Sequence, residues 1–161
     1  MAMTMKTDGV GELGEMLAKL EGKANEVAAY ALYEGAAVVA DAFGSAVKSI
    51  RTEPFRYARP GQTRLPSPEE KAALLGKSGI APFRDDGAEV NTMIGISGAA
   101  GYADVAGKPK AVRLIARSIN SGTSFMKKQP VFRKAVSASK GRATDAVVSK
   151  AEEMFNEIIG G

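Results

Sequence analysis

The stretch ELGEMLAKLEGKANEVAAYALYEGAAVVADAFGSAVK, residues 12–48, decides how the chain folds. Its apolar residues Leu13, Leu17, Leu20, Ala24, Val27, Ala31, Val38 and Ala42 recur at threes and fours, the spacing that lines side chains along one stripe of an α-helix. That spacing predicts one long amphipathic helix, or two in line. At about 1.5 Å per residue the segment reaches roughly 50 Å, longer than a compact domain of this size needs, so part of it is expected to pack against another subunit. Gly22, Gly35 and Gly44 each cost about 1 kcal/mol relative to alanine in a helix interior, and so mark a kink or a close backbone contact.

Beyond this helix the pattern breaks up. Residues 51–66 (RTEPFRYARPGQTRLP) carry three prolines, a glycine and four arginines without periodicity, and read as a loop or arm that is mobile in isolation. Ser67-Pro68-Glu69-Glu70 is a capping signal, with Ser at the cap, Pro at the first helical position and Glu three residues on, so a short helix is expected to about Leu75. Gly79 to Asp86 turns the chain. Glu89 to Ile96 alternates, with Val90, Thr92, Ile94 and Ile96 on one side, and reads as a strand. Its partners must come from weaker candidates at Phe83–Arg84, Tyr102–Val105 and part of Arg51–Tyr57.

Val112, Ile115, Ala116 and Ile119 have helical spacing, stopped by Ser121-Gly122-Thr123, which predicts a helix ending near Asn120. Pro130 opens a last helix whose buried stripe is Val131, Ala135, Ala143, Val147, Ala151, Met154, Phe155 and Ile158, with Gly141 as a point of bending. The fold class expected is α+β: a long N-terminal helix and a C-terminal helix packed on a small, mainly antiparallel sheet. With 161 residues and 45% hydrophobic composition, a single domain over residues 1–161 is expected, with an arm at about 51–66.

Composition excludes much chemistry. There is no Cys and no His, which removes disulfides, thiol nucleophiles, Cys/His zinc sites and imidazole acid-base catalysis. Met1 to Val10 has no apolar run and does not read as a secretion signal, and no stretch approaches the roughly 20 apolar residues that span a bilayer. A protein made in the cytoplasm, with no membrane partner, is expected. The glycine-rich segment Gly95 to Gly101 lacks the Lys-Ser/Thr of a phosphate loop and reads as a turn. Asp85-Asp86 and Glu69-Glu70 point different ways on a strand or helix and hold no ligand triad. Ser124 and Lys127 match Ser-x-x-Lys in letters only, beside another lysine on what reads as a solvated turn. No catalytic, metal or cofactor residue is assigned, and the chain is expected not to be an enzyme.

Charge is modest in total, +4, but unevenly distributed. Between Asp104 and Asp145 stand Lys108, Lys110, Arg113, Arg117, Lys127, Lys128, Arg133, Lys134, Lys140 and Arg142 with no acid among them. The first fifty residues instead hold Asp8, Glu12, Glu15, Glu21, Glu26, Glu34 and Asp41 against four basic residues. Such polarity fits head-to-tail contact between copies, an acidic partner, or nucleic acid bound with counterion release. Tyr102, Phe125 and Phe132 lie within or beside the basic region, but no recognised RNA-binding pattern or helix-turn-helix is present.

The segment from Leu114 to Val136, with Gly122-Thr123-Ser124 followed by Pro130, Phe132 and Arg133, resembles the tail-component family of long-tailed bacteriophages described as tenth-gene-product-like. That family's hallmark is a Gly-Thr-Ser turn followed by a Pro, an aromatic and a basic residue opening the terminal helix. Gly11-Glu12-Leu13 and Gly35-Ala36 match its first helix. Leu65 to Leu75, Gly79-Ile80-Ala81 and Asp85-Asp86-Gly87 look like a longer branch of it. A Thr-Gly-x-Leu-basic segment that many relatives carry after the first helix is absent.

The resemblance implies an α+β virion structural protein in tail completion or head-tail joining, an oligomeric ring, expected as a hexamer, around the DNA channel. Its partners would be other tail or connector proteins, with non-specific contact to DNA in the channel. It would reside in the virion, and in the host cytoplasm during assembly. Gly122, Thr123, Ser124, Pro130 and Phe132 are then the structural motif. Arg51, Arg56, Arg59, Arg64, Arg113, Arg117, Lys127, Lys128, Arg133 and Lys134 are the candidate interface or DNA-facing residues. The alternative is a basic nucleic-acid-binding protein using the segment between Asp104 and Asp145.

Overall fold

The computed structural model describes residues 10–85, 90–103 and 107–160, and its architecture is α+β. The opening stretch forms one continuous helix, α1 (Val10–Ser49). Forty residues at 1.5 Å each make it about 60 Å long, against roughly 40 Å for the diameter of a compact domain of this length. It pairs with α4 (Val131–Gly160), which runs antiparallel to it. Phe43 stacks on Phe132 near the base of the pair, ring centroids 4.5 Å apart, while Gly35 meets Ala143 and Val147 further up. At Gly35 a Cβ would collide with the Val147 side chain and lie 3.0 Å from the Ala143 carbonyl oxygen. The glycine therefore marks a close helix contact, whereas Gly22 and Gly44 have open space around them.

Two short helices, α2 (Pro68–Lys77) and α3 (Val112–Ser121), pack around the base of this pair. The core sits there: Val47, Ile50, Leu74, Ala100, Val112, Ile115, Ile119, Met126 and Phe132 form one buried cluster. Burying each of the larger aliphatic side chains contributes about 1.5–3 kcal/mol. The α2 start is the predicted capping box, in which the Ser67 hydroxyl accepts from the Glu70 amide and the Glu70 carboxylate accepts from the Ser67 amide. Lys71 Nζ donates to the carbonyls of Lys48 and Ile50, so a cation satisfies acceptors at the C-terminal end of α1.

The β-structure is three short antiparallel ladders among the described residues. β1 (Ser78–Ile80) pairs with β4 (Ile94–Ile96), and β2 (Arg84–Asp85) with β3 (Val90–Asn91). The two ladders make one interrupted hairpin, because Ala81 to Phe83 on one side faces only Thr92 and Met93 on the other. At the interruption the Ala81 amide donates to the Met93 carbonyl, and the Thr92 hydroxyl to the Ala81 carbonyl. The single strand expected over 89–96 is thus split by a bulge; Glu89 lies outside the described residues. Tyr33 and Phe83, 6.0 Å apart, hold the hairpin beside α1. β5 (Ala99–Ala103) and β6 (Pro109–Ala111) form the third ladder, so most of the glycine-rich segment is strand and only Gly98, at φ 84°, turns.

Other expectations are corrected in the same way. Arg51–Tyr57 supplies no strand, and of Tyr102–Val105 the first two residues lie in β5 while Asp104 and Val105 lie outside the described residues. Ala24 and Phe155, assigned to buried stripes, are exposed, and Val38 and Ala42 are half-buried. The side chains of Leu13 and Leu17 lie outside the described residues. α4 runs unbroken through Gly141.

Candidate interaction surface

The arm at 51–66 is tied down at both ends. The Glu53 amide donates to the Pro66 carbonyl at 3.0 Å, closing the loop on itself. Arg64 then bridges to the 122–130 loop: its amide donates to the Phe125 carbonyl at 2.8 Å, and the Lys127 amide donates to its carbonyl at 2.9 Å. At the other end the Gln129 side chain clasps the Arg51 backbone, accepting from its N–H and donating to its carbonyl, both at 3.0 Å. The expectation of mobility applied to a segment without partners, and these contacts supply them.

Arg64 itself is a correction. Placed by sequence among the surface cations, it is 5% exposed, and its guanidinium donates in parallel to both carboxylate oxygens of Glu70, at 2.7 and 2.8 Å. Lys110 Nζ approaches the same carboxylate at 3.3 Å. For Glu70 burial is the largest influence and pushes its pKa up. The Arg64 bond, the Ser67 amide and the charges of Arg64 and Lys110 together outweigh it, so the carboxyl sits below its ordinary value. The Glu70 hydrogen bond in turn raises Arg64. Nearby, burial pushes Tyr102 up to about 12, and its hydroxyl has no hydrogen-bond partner among the described residues. This cluster is a structural clamp. Nothing in the sequence signalled it, since Glu70 already had a role in the capping box.

The Gly122-Thr123-Ser124 motif works as a turn. Gly122 takes φ 77° and donates its N–H to the Ser118 carbonyl, ending α3. The Thr123 hydroxyl accepts from the amides of Phe125 and Met126, and Ser124 is exposed. Met126 points into the core. Pro130 precedes α4 and Phe132 is buried in its first turn. Lys127 and Ser124 are both exposed and share no hydrogen bond.

The remaining predicted cations stand on the surface of the base. Arg113 and Arg117 lie one turn apart on α3, Lys127 and Lys128 in the following loop, and Arg133 and Lys134 in the first turn of α4. All six are exposed, and none forms an ion pair with a described residue. On the arm, Arg51 and Arg59 are exposed, while Arg56 pairs with Glu53 at 3.0 Å. Phe55 and Tyr57 stack edge to face on the same arm, both exposed. Of the three aromatics that sequence placed with the basic region, Phe125 alone is exposed.

Along the helix pair the charge reverses. The end far from the core carries Glu15, Glu21 and Glu26 on α1 with Glu152, Glu153 and Glu157 on α4, against Lys19, Lys23 and Lys150. α4 has no acid in its first turn and no base in its last, so its charges run against its own helix dipole. The pair is also open on its sides: Tyr30, Val136, Val148, Phe155 and Ile159 are exposed apolar side chains on it. Near the base a groove of about 590 Å³ runs between α1 and α4.

Among the described residues no three His, Cys, Asp or Glu side chains are grouped to hold a metal ion, and no helix is long and apolar enough to cross a membrane. Comparison of the chain with family models, curated proteins and solved structures finds no match.

Proposed function

We propose that this chain is a virion structural protein of a long-tailed phage or prophage, acting in tail completion or head-tail joining as an oligomeric ring around the DNA channel. The observation that carries the reading is a helix pair longer than a compact domain, with opposite charge at its two ends and apolar side chains left uncovered along it. Exposed apolar surface of this kind gains free energy from a partner. Charges that oppose their own helix dipole gain further from a neighbour of opposite sign. The ordered likeness to the tail-component family supplies the biological setting. Light scattering of the purified protein, across concentrations and with and without tail-tube protein, tests it: six chains of 16.8 kDa would form a ring of about 100 kDa. A strict monomer under all these conditions refutes it.

The second reading, a nucleic-acid-binding protein, is favoured by the exposed cations Arg113, Arg117, Lys127, Lys128, Arg133 and Lys134 on the base, which form no ion pair among the described residues. It requires tight binding by the isolated subunit that weakens steeply with salt, a log-log slope of about −0.9 per phosphate contacted on duplex DNA. A gel-shift titration across salt measures that slope. Weak binding at every salt concentration rejects this alternative.

A further inference from the structure

We propose that copies associate head to tail, with the outer stripe at the C-terminal end of α4 of one copy seated in the α1–α4 groove of the next. The proposal deepens the assembly reading and rests on it. The groove spans Val38 to Ser49 on α1 and Val131 to Arg142 on α4, and small side chains at Ala42, Ala46, Ala135 and Ala138 line it. Small residues let a third helix approach to an axial distance of about 8 Å. Lys134 and Arg142 stand on its α4 side, exposed and without ion-pair partners among the described residues, and outnumber Asp41 on its α1 side.

The complementary surface is on the same helix. Val148, Phe155 and Ile159, 50%, 38% and 44% exposed, are spaced by seven and four residues and fall on one stripe of α4. Asp145 and Glu152, also exposed, run along its flank. Stripe and groove each cover three helical turns, about 17 Å. Lys134 and Arg142 are about 12 Å apart along the axis, and Asp145 and Glu152 about 10.5 Å, so both ion pairs can form in one docking. The groove and the stripe occupy opposite ends of a continuous helix, so one copy cannot fill its own groove. A contact between two different surfaces repeats from copy to copy and closes into a ring or extends as a filament.

Two charge-reversed variants test this, K134E/R142E in the groove and D145K/E152K on the stripe, each checked for helix content by circular dichroism and sized by light scattering. Each variant alone should fall to the 16.8 kDa monomer. Mixed in equal amounts, they should assemble again in alternation, because the intact stripe of one meets the intact groove of the other and the two reversed surfaces are again opposite in sign. Carrying all four changes in one chain should restore the wild-type size. Wild-type assemblies that survive both reversals would overturn the docking and leave the assembly reading standing. Loss on the groove variant alone would mean a symmetric groove-to-groove contact and would also overturn it. A wild type that stays monomeric with and without tail-tube protein removes the docking and the assembly reading together.

Discussion

Replacing Glu70 with glutamine keeps the shape of the side chain and removes the charge that Arg64 faces. In the native chain the Glu70 carboxylate takes both guanidinium bonds, the Ser67 amide at 2.9 Å and Lys110 at 3.3 Å, with only 2% of the residue exposed. E70Q leaves the Arg64 charge buried without its counter-ion. Breaking such a pair by removing one partner costs about 3–5 kcal/mol, a large share of the ~5–15 kcal/mol that holds a domain together. For a chain of this length the melting temperature should fall by roughly 6–20 °C, read by circular dichroism. The double change Arg64→Met with Glu70→Leu should recover most of the loss, since no buried charge is then left alone.

The same pair predicts a pH profile. The folded-state pKa of Glu70 lies below its ordinary value of 4.5, so below neutrality the unfolded chain binds the proton more readily than the folded chain. Its contribution is therefore fully present above that ordinary value and is lost as pH falls through the depressed folded value. E70Q should be less stable than wild type near neutrality, and the gap should narrow on acidification. A variant that melts within about 2 °C of wild type at pH 7, with the same acid dependence, would refute the reasoning.

Two glycine substitutions probe the other contacts. Gly122→Val forces a β-branched residue to φ 77° and sets its Cβ 3.0 Å from that of Lys128, so a loss of about 1–3 kcal/mol and impaired assembly are expected; particles with normal tails would count against its role. Gly35→Val drives a side chain into Val147 and the Ala143 carbonyl and should cost about 1–3 kcal/mol in urea unfolding, whereas Gly22→Ala, with open space around it, should gain up to ~1 kcal/mol. Equal effects at both glycines would mean that α1 and α4 do not approach as closely as Gly35 implies.

Local rules were legible where one short segment contains both partners of an interaction. Ser67 and Glu70 satisfy each other across three residues, and Gly122 ends α3 with a bond to Ser118, so both could be read in advance. The helical stripes were legible only in part. An apolar stripe tied to a fixed heptad register drifts by about 20° per heptad around a straight helix, so over the length of α1 it leaves the face that one partner covers. Ala24 on α1 and Phe155 on α4 are both exposed. The bulge at Thr92 hid in plain alternation, because the deciding bond runs to Ala81, eleven residues away. Arg64 was misplaced because four arginines in a proline-rich loop look alike until the bridge to Met126 turns one of them inward.

The charge pattern of α4 bears most directly on the choice between the two functional readings. Arg133 and Lys134 at its N-terminus and Glu157 at its C-terminus each oppose the helix dipole, at about 0.3–1 kcal/mol apiece, and folding of the single chain gains nothing from that order. A polyanion would relieve the N-terminal end alone and would be repelled by Glu152, Glu153 and Glu157 if the helix pair lay along it. A second copy placed head to tail relieves both ends at once. The acidic end therefore discriminates where the basic end cannot: neutralising Glu152, Glu153 and Glu157 should weaken self-association under the assembly reading, and should strengthen or leave unchanged any binding to DNA under the other.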